Sequence, residues 1–257
     1  MLNAAITKRF EVTPDLIIFQ IKPDTEVPDF SPGQYVALGL PGSAARPSNF
    51  PPEAQLPAPD KIIKRAYSIG SPPQQKEYLE FYIAIAPLGA LTSRLAMLHE
   101  GDRLFMNPKI TGTFTLHEVP ADHNLILVST GTGIAPYMSM LRTESSWTPQ
   151  RRITLLHGAR HAQDLAYREE LLALAAREPR FTYHAIVSRE DPAWHGPRGY
   201  VQSFFNDGTI VLDPRVDHVF MCGNPGMIDQ TQKYLEAHGY TVHSKRVPGN
   251  LHLEKYW

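Results

Sequence analysis

Residues 124–136 read Asn124-Leu125-Ile126-Leu127-Val128-Ser129-Thr130-Gly131-Thr132-Gly133-Ile134-Ala135-Pro136. The apolar run 124–129 reads as a strand, and the helical stretch 134–142 follows it. Pro136 suits a first helical turn. The glycines between them let backbone come close to a ligand, and a helix start offers free N–H groups to a phosphate.

The same rhythm continues outward. Apolar strands at 153–157, 181–187 and 216–222 alternate with helical stretches at 165–177, 199–206 and 225–238. Strand, helix, strand is the pattern of a parallel sheet with right-handed crossovers. Asp164 is placed as the N-cap of the second helix, with Leu165, Leu171, Leu172 and Leu174 as its apolar face. In such a sheet, ligands bind at the carboxyl ends of the strands. There the second strand carries Gly158-Ala159-Arg160. The third carries Ser188-Arg189, with Arg198 nine residues on. The fourth carries Cys222-Gly223-Asn224-Pro225-Gly226-Met227. Any one glycine could simply end a strand. Four such loops on one edge, with three arginines among them, point to a phosphorylated ligand, because Arg suits bidentate phosphate binding. Ser188, Arg189 and Arg198 together suit a phosphate monoester such as the 2′-phosphate of NADP. No G-x-G-x-x-G is followed by a ribose-binding acid about 20 residues later, so a Rossmann dehydrogenase fits poorly.

Before residue 119 the rhythm is different. Runs at 4–12, 16–22, 34–40, 62–70 and 78–86 are β-branched or aromatic with partial alternation, and Pro32-Gly33 and Pro72-Pro73 mark turns. Many short strands predict a small antiparallel barrel. One helix fits at 91–98, and the Pro-, Ala- and Ser-rich stretch 41–60 reads as an extended loop. The expected organisation is thus a barrel domain over 1–118 and an α/β domain over 119–257. Two strings in the barrel half stand out. In Arg65-Ala66-Tyr67-Ser68-Ile69-Gly70-Ser71, strand alternation puts Arg65 and Tyr67 on one face and Ser68 on the other. In Gly89-Ala90-Leu91-Thr92-Ser93-Arg94-Leu95, a glycine turn opens a helix, as a phosphate cradle would, and Thr92 adds a hydroxyl.

Composition narrows the function. In 257 residues, 25 Lys+Arg balance 26 Asp+Glu, which argues against a nucleic-acid or membrane-surface footprint. A single cysteine excludes an intrachain disulfide and any four-cysteine zinc or iron–sulfur site, and no metal site is expected. Lys8 and Arg9 fall where a signal peptide would be apolar, and no apolar run approaches the roughly 20 residues of a membrane helix. A cytoplasmic monomer is the expectation.

The strings R-A-Y-S-I-G-S, G-A-L-T-S-R-L, S-T-G-T-G-I-A-P, V-S-R-E and C-G-N-P-G-M occur in the order found in the ferredoxin–NADP(+) reductase family. Over nearly its whole length the chain resembles that family, most closely the bacterial branch. The resemblance implies a six-stranded antiparallel flavin-binding barrel followed by a parallel NADP-binding domain, with non-covalent FAD. It implies that Arg65 pairs with the flavin pyrophosphate, within the string that includes Ala66. Tyr67 would pack on the isoalloxazine and Ser68 would bond near its N5. Gly89, Ala90, Leu91 and Thr92 would complete the pyrophosphate site. Thr132 would hold the NADP backbone, and Arg160, Ser188, Arg189 and Arg198 its phosphates. Cys222 would lie beside the nicotinamide, and Glu254 matches a carboxylate that handles protons or hydride. Tyr256 and Trp257 end the chain where plant-type relatives end on a Tyr and close bacterial ones place Ala-Phe and continue, so either ring could stack on the flavin. The stretch 41–60 is longer than the bacterial branch leads one to expect.

The activity implied is hydride transfer from NADPH to FAD, then passage of single electrons to ferredoxin or flavodoxin, reversibly. Lys64, Arg94, Lys109, Lys245 and Arg246 are candidates to meet such acidic partners. The alternatives are an NAD(P)H-dependent flavin reductase or oxygenase reductase on the same fold, and a flavin-binding regulatory module without turnover.

Overall fold

In the computed structural model, which describes residues 1–190 and 192–255, the first half of the chain forms six antiparallel strands. They are β1 (Ala4–Thr13), β2 (Leu16–Pro23), β3 (Tyr35–Pro41), β4 (Ile62–Ser68), β5 (Leu79–Ala84) and β6 (Arg103–Met106). The short helix α1 (Thr92–Leu95) comes before β6. Their order is β4-β3-β6-β1-β2-β5. The ends of that order meet where the Gly70 N–H, just past β4, donates to Glu80 O on β5 at 2.8 Å.

Alternation explains the inside of this sheet. Ile17, Phe19 and Ile21 of β2, Val36, Leu38 and Leu40 of β3, and Leu79, Phe81 and Ile83 of β5 form one buried cluster. Each such side chain contributes roughly 1.5–3 kcal/mol of burial. The sequence pattern does not reveal β6, because four residues are too few to show a period. Its place is central all the same: Leu104 pairs with Ala4 of β1, and Met106 with Leu38 of β3. The helix expected at 91–98 is confined to the four residues of α1.

The second half contains β7 (Asn124–Thr130), α2 (Ala135–Leu141), β8 (Ile153–Ala159), α3 (Arg168–Arg177) and β9 (Phe181–Val187). After these come α4 (Ser203–Asn206), β10 (Asp217–Gly223), α5 (Pro225–Ala237) and β11 (Leu251–Lys255). The strands form one parallel sheet in the order β11-β10-β7-β8-β9. Strand β11 also escapes the sequence pattern, since His252, Glu254 and Lys255 make it look like a polar tail. By contacts the chain forms two units. Residues Met1–Thr115 and Ala135–Thr143 make the first, and Leu116–Ile134 with the chain from Glu144 onward makes the second. Helix α2 belongs to the first, where Ser139 Oγ donates to Ser71 O at 2.7 Å. Arg142 Nη1 donates there to Gly70 O at 3.0 Å and to Glu80 Oε1 at 2.7 Å.

Asp164 does not cap α3. It closes the 3-10 turn before it, accepting the His161 N–H at 3.0 Å, and α3 starts after Tyr167, which is left-handed at φ 61°. Leu171 of the expected apolar face is buried, whereas Leu172 is 44% exposed, because only one side of this helix meets the sheet. Among the described residues no helix is long and apolar enough to cross a membrane, and no three His, Cys, Asp or Glu are placed to hold a metal ion.

At the start of the parallel strands lies a chain of histidines. His218 of β10 bonds through Nδ1 to His252 Nε2 at 3.1 Å and through Nε2 to His123 Nδ1 at 3.2 Å. The His252 ring stacks on Phe220 at 4.1 Å and on His243, which pairs with Glu118. Burial, then the neighbouring His123, Arg151 and His243, lower the His218 pKa from 6.5 to about 4, with Asp217 opposing. Burial, then His243 and His218, lower His252 to about 3. As pH falls below about 6.5 the unfolded chain takes up protons that the folded histidines refuse, so stability is full above that pH and is lost progressively down to about pH 3. For His218 alone the loss is on the order of 3 kcal/mol. Urea unfolding across this window should show the midpoint falling with pH, and falling less steeply in His252→Phe. An equal slope in that variant would remove the histidine chain as the cause.

Candidate functional site

In the second unit the strand ends converge because two loops have no room for side chains. Gly133 follows β7, and a Cβ there would lie 2.2 Å from Cys222 O. Gly223 has φ +134°, and a Cβ there would meet Thr130 Oγ1 at 2.4 Å. Thr130 Oγ1 also accepts the Asn224 N–H at 2.9 Å. Asn224 in turn caps α5, its Oδ1 accepting the Met227 N–H at 3.2 Å, with Pro225 as the first helical residue. The Thr130–Gly133 and Cys222–Asn224 loops are therefore one locked surface, and Thr132 sits on it. Around Gly131 a Cβ would meet nothing within 4 Å, so the loop faces open space there.

Next along the sheet, main-chain bonds gather the predicted cations. Ser188 N–H donates to Ala159 O at 2.9 Å and Arg189 N–H to Arg160 O at 3.0 Å. The chain then returns, and Arg198 bridges beside Val187. The side chains of Arg160, Arg189 and Arg198 are all exposed. Among the described residues, Arg160 and Arg189 form no ion pair. Tyr200, two residues past Arg198, is 65% exposed. An exposed aromatic ring two residues from an exposed Arg suits stacking on a purine base, and the string Arg198-Gly199-Tyr200 was its available signal in the sequence. At the strand end, Cys222 is fully buried and pairs in register with Glu254 of β11. Its Sγ lies 3.9 Å from Glu254 Oε1, within reach of a thiol hydrogen bond. Tyr256 and Trp257 lie outside the described residues.

The first unit holds the other predicted residues. On β4, Arg65 and Ala66 are exposed, Tyr67 is half-buried and Ser68 is buried. Among the described residues the Arg65 side chain donates only to the neighbouring Lys64 O, at 2.8 Å. The ring of Tyr67 packs against the barrel core, and its hydroxyl is buried with no partner among the described residues. Burial pushes that phenol's pKa up. An unpaired buried hydroxyl costs roughly 1–3 kcal/mol, a cost that a bound group carrying a polar atom would remove. The segment after Ser68 is held on several sides: Ile69 N–H bonds Gln34 O at 3.0 Å, and Glu80 N–H bonds Ser71 Oγ at 3.1 Å.

At Gly89 a Cβ would sit 2.3 Å from Thr92 Oγ1. That hydroxyl is engaged locally, accepting the Ala86 N–H at 3.2 Å and donating to Ala86 O at 3.1 Å. What this turn leaves over is backbone. Among the described residues the N–H groups of Ala90, Leu91 and Thr92 donate to no acceptor. Three successive unpaired N–H groups beside a glycine form an anion cradle. Of the basic residues expected to meet a partner, Lys109, Lys245 and Arg246 are exposed. Lys64 lies over the Phe105 ring at 4.0 Å. Arg94 is not available: it is 3% exposed and ion-paired to Glu53 at 2.8 Å.

An antiparallel barrel followed by a parallel sheet with a locked glycine loop defines a class of oxidoreductases. Residues 127–233 match the family model described as oxidoreductase NAD-binding domain. The chain is 31% identical over 247 residues to a flavodoxin/ferredoxin–NADP reductase of Buchnera aphidicola, covering 93% of each protein. It is 32% identical over 248 residues to the one of Escherichia coli K12, again covering 93% of each. Among solved structures, a ferredoxin NADP+ reductase from Neisseria gonorrhoeae with bound FAD and NADP superposes with a TM-score of 0.79. It is 24% identical, covering 98% of this chain and 97% of that one. The chain belongs to the flavodoxin/ferredoxin–NADP reductase family.

The locked loops give a direct test. Gly223→Ala combines a forced positive φ with a 2.4 Å clash and should cost on the order of 3 kcal/mol or more, read by urea unfolding. Gly131→Ala, with open space around its Cβ, should cost only about 1 kcal/mol for its φ of +55°. Equal costs at the two positions would contradict the locked-loop reading.

Proposed function

We propose that this chain takes hydride from NADPH on bound FAD and delivers the electrons singly to ferredoxin or flavodoxin. The observation that carries the proposal is the pairing of two anion sites of different design. One is the run of N–H groups at Ala90–Thr92, unpaired among the described residues and suited to a pyrophosphate. The other is the arginine group at Arg160, Arg189 and Arg198, suited to a nucleotide phosphate. The residues present fit FAD: an exposed Arg65, a half-buried Tyr67 with an orphaned hydroxyl, and the backbone cradle.

When bound, FAD supplies the chemistry that lets electrons arrive as a hydride and leave one at a time. The chain positions and screens. Arg65 and the cradle N–H groups hold the pyrophosphate by charge-assisted bonds. By the family resemblance Tyr67 would offer its ring to the isoalloxazine, and the Ser68 hydroxyl would bond near N5. Thr132 and its loop hold the nucleotide backbone, while Ser188, Arg189 and Arg198 read its 2′-phosphate. By the family resemblance Cys222 would lie beside the nicotinamide, and the Glu254 carboxylate, which accepts from the Cys222 thiol, would handle the proton. Tyr256 and Trp257 enter this proposal on the family resemblance alone, as the rings that cover the flavin.

Two measurements test the proposal. The purified protein should be yellow, release FAD on denaturation, and pass electrons from NADPH to cytochrome c faster when ferredoxin or flavodoxin is added. Indifference to the added carrier, with free flavin reduced instead, would favour the flavin-reductase alternative. Second, Arg189→Ala with Arg198→Ala should raise the KM for NADPH by about tenfold to a hundredfold, after discounting exposed charge-assisted contacts of roughly 1.5–3 kcal/mol each. The KM for NADH should barely move. Equal losses for both nucleotides would show that these arginines do not read the 2′-phosphate.

A further inference from the structure

The Pro-rich stretch 41–60 is tied down by two arginines. Arg94 uses all five of its N–H donors. Nη1 and Nη2 grip Glu53 Oε1 and Oε2 at 2.8 and 2.9 Å, Nε and Nη2 donate to Gly42 O at 3.3 and 2.8 Å, and Nη1 also reaches Ala90 O at 2.6 Å. Its side chain is 3% exposed and that of Glu53 is 7% exposed. A buried ion pair is tolerated only when its hydrogen bonding is this complete. Arg46, from the same stretch, donates to Ser93 Oγ at 2.9 Å and to Pro51 O and Pro87 O at 3.0 Å each.

The contact with Ala90 O has a directional consequence. A peptide unit is planar and trans, so its C=O and N–H point opposite ways. Three successive units make the cradle. In the first, Gly89 O accepts the Ser93 N–H at 3.1 Å, which turns the Ala90 N–H outward. In the third, Leu91 O accepts the Leu95 N–H at 2.9 Å, which turns the Thr92 N–H outward. Backbone alone fixes these two. In the middle unit the Ala90 carbonyl is held by the Arg94 side chain, and this contact aims the Leu91 N–H. Arg94 is in turn held in place by Glu53.

We propose that Glu53 and Arg94 are positioning residues for the pyrophosphate cradle. Through them the 41–60 stretch sets the direction of the Leu91 N–H and selects a flavin dinucleotide over a flavin without phosphate. This rests on the FAD reading above. Neither residue touches the flavin; they act through the Ala90 carbonyl. Arg46 supports the same loop from Pro87 and Ser93.

The test is binding to apoprotein, followed by flavin fluorescence, with FAD and riboflavin as separate probes. Glu53→Gln keeps the shape and removes the charge that locks Arg94. Arg94→Lys keeps the charge and loses the fork. Either should raise the FAD dissociation constant about tenfold while changing that of riboflavin by less than about twofold. If Arg94→Lys does not fold, Glu53→Gln carries the test. An equal loss for both flavins, or a fall in melting temperature with both affinities unchanged, would make the pair a structural anchor only and overturn the proposal. Wild-type protein that binds riboflavin as tightly as FAD would instead overturn the pyrophosphate reading itself.

Discussion

At Gly133 the chain has room for a hydrogen and nothing more, since a Cβ would lie 2.2 Å from the carbonyl of Cys222. That close approach joins the end of β7 to the end of β10. It puts Thr130 against Gly223 and Asn224, and Asn224 starts α5. The neighbouring strands inherit the arrangement through parallel pairing. Glu254 reaches Cys222 because β11 is in register with β10, and Arg160 reaches Arg189 because β8 is in register with β9. A larger residue at 133 or 223 would part the two loops and scatter the set.

The first unit solves a similar problem by different means. Its run of N–H groups sits in a short turn, where backbone bonds fix the two outer peptide planes and a side chain fixes the middle one. Thr92 closes the turn from within through Ala86, and Arg94 holds one of its carbonyls from behind. Full use of the Arg94 donors makes the arrangement stiff, which matters because a cradle of N–H groups is useful only if it is set before the anion arrives. The buried charge of Arg94 is spent inside this unit, on Glu53, Gly42 and Ala90, and is no surface that a partner protein could read.

Much of the fold was legible in the residues. The runs around Ile17–Ile21 and Leu79–Ile83 alternate as strands with one buried face must, and the apolar stretches at 124–129, 153–157, 181–187 and 216–222 all became parallel strands. Strands β6 and β11 were hidden, because a four-residue strand shows no period and β11 carries three polar residues of five. Their pairing is long-range: β6 lies between β1 and β3, and β11 takes its partner from β10. The chemistry of the site was legible as residue types, namely glycines, arginines, a cysteine and a carboxylate. Tyr200 went unnoticed, since a lone aromatic after Arg198-Gly199 looks ordinary until its ring is seen to be exposed.

Sequence by itself determined the two kinds of half, the order of the motifs and the chemistry each can do, because periodicity and residue type are local properties. Tertiary structure decided which of those residues are available. Arg94 and Arg189 look alike in the sequence, yet one is sealed against Glu53 and the other faces solvent. The Thr92 hydroxyl, which suits a phosphate on paper, is committed to Ala86, and among the described residues the N–H groups of Ala90, Leu91 and Thr92 are the ones left free. The physical reason is the same in each case. A charge or a hydrogen-bonding group serves a ligand only if no nearer partner satisfies it, and those partners come from distant parts of the chain.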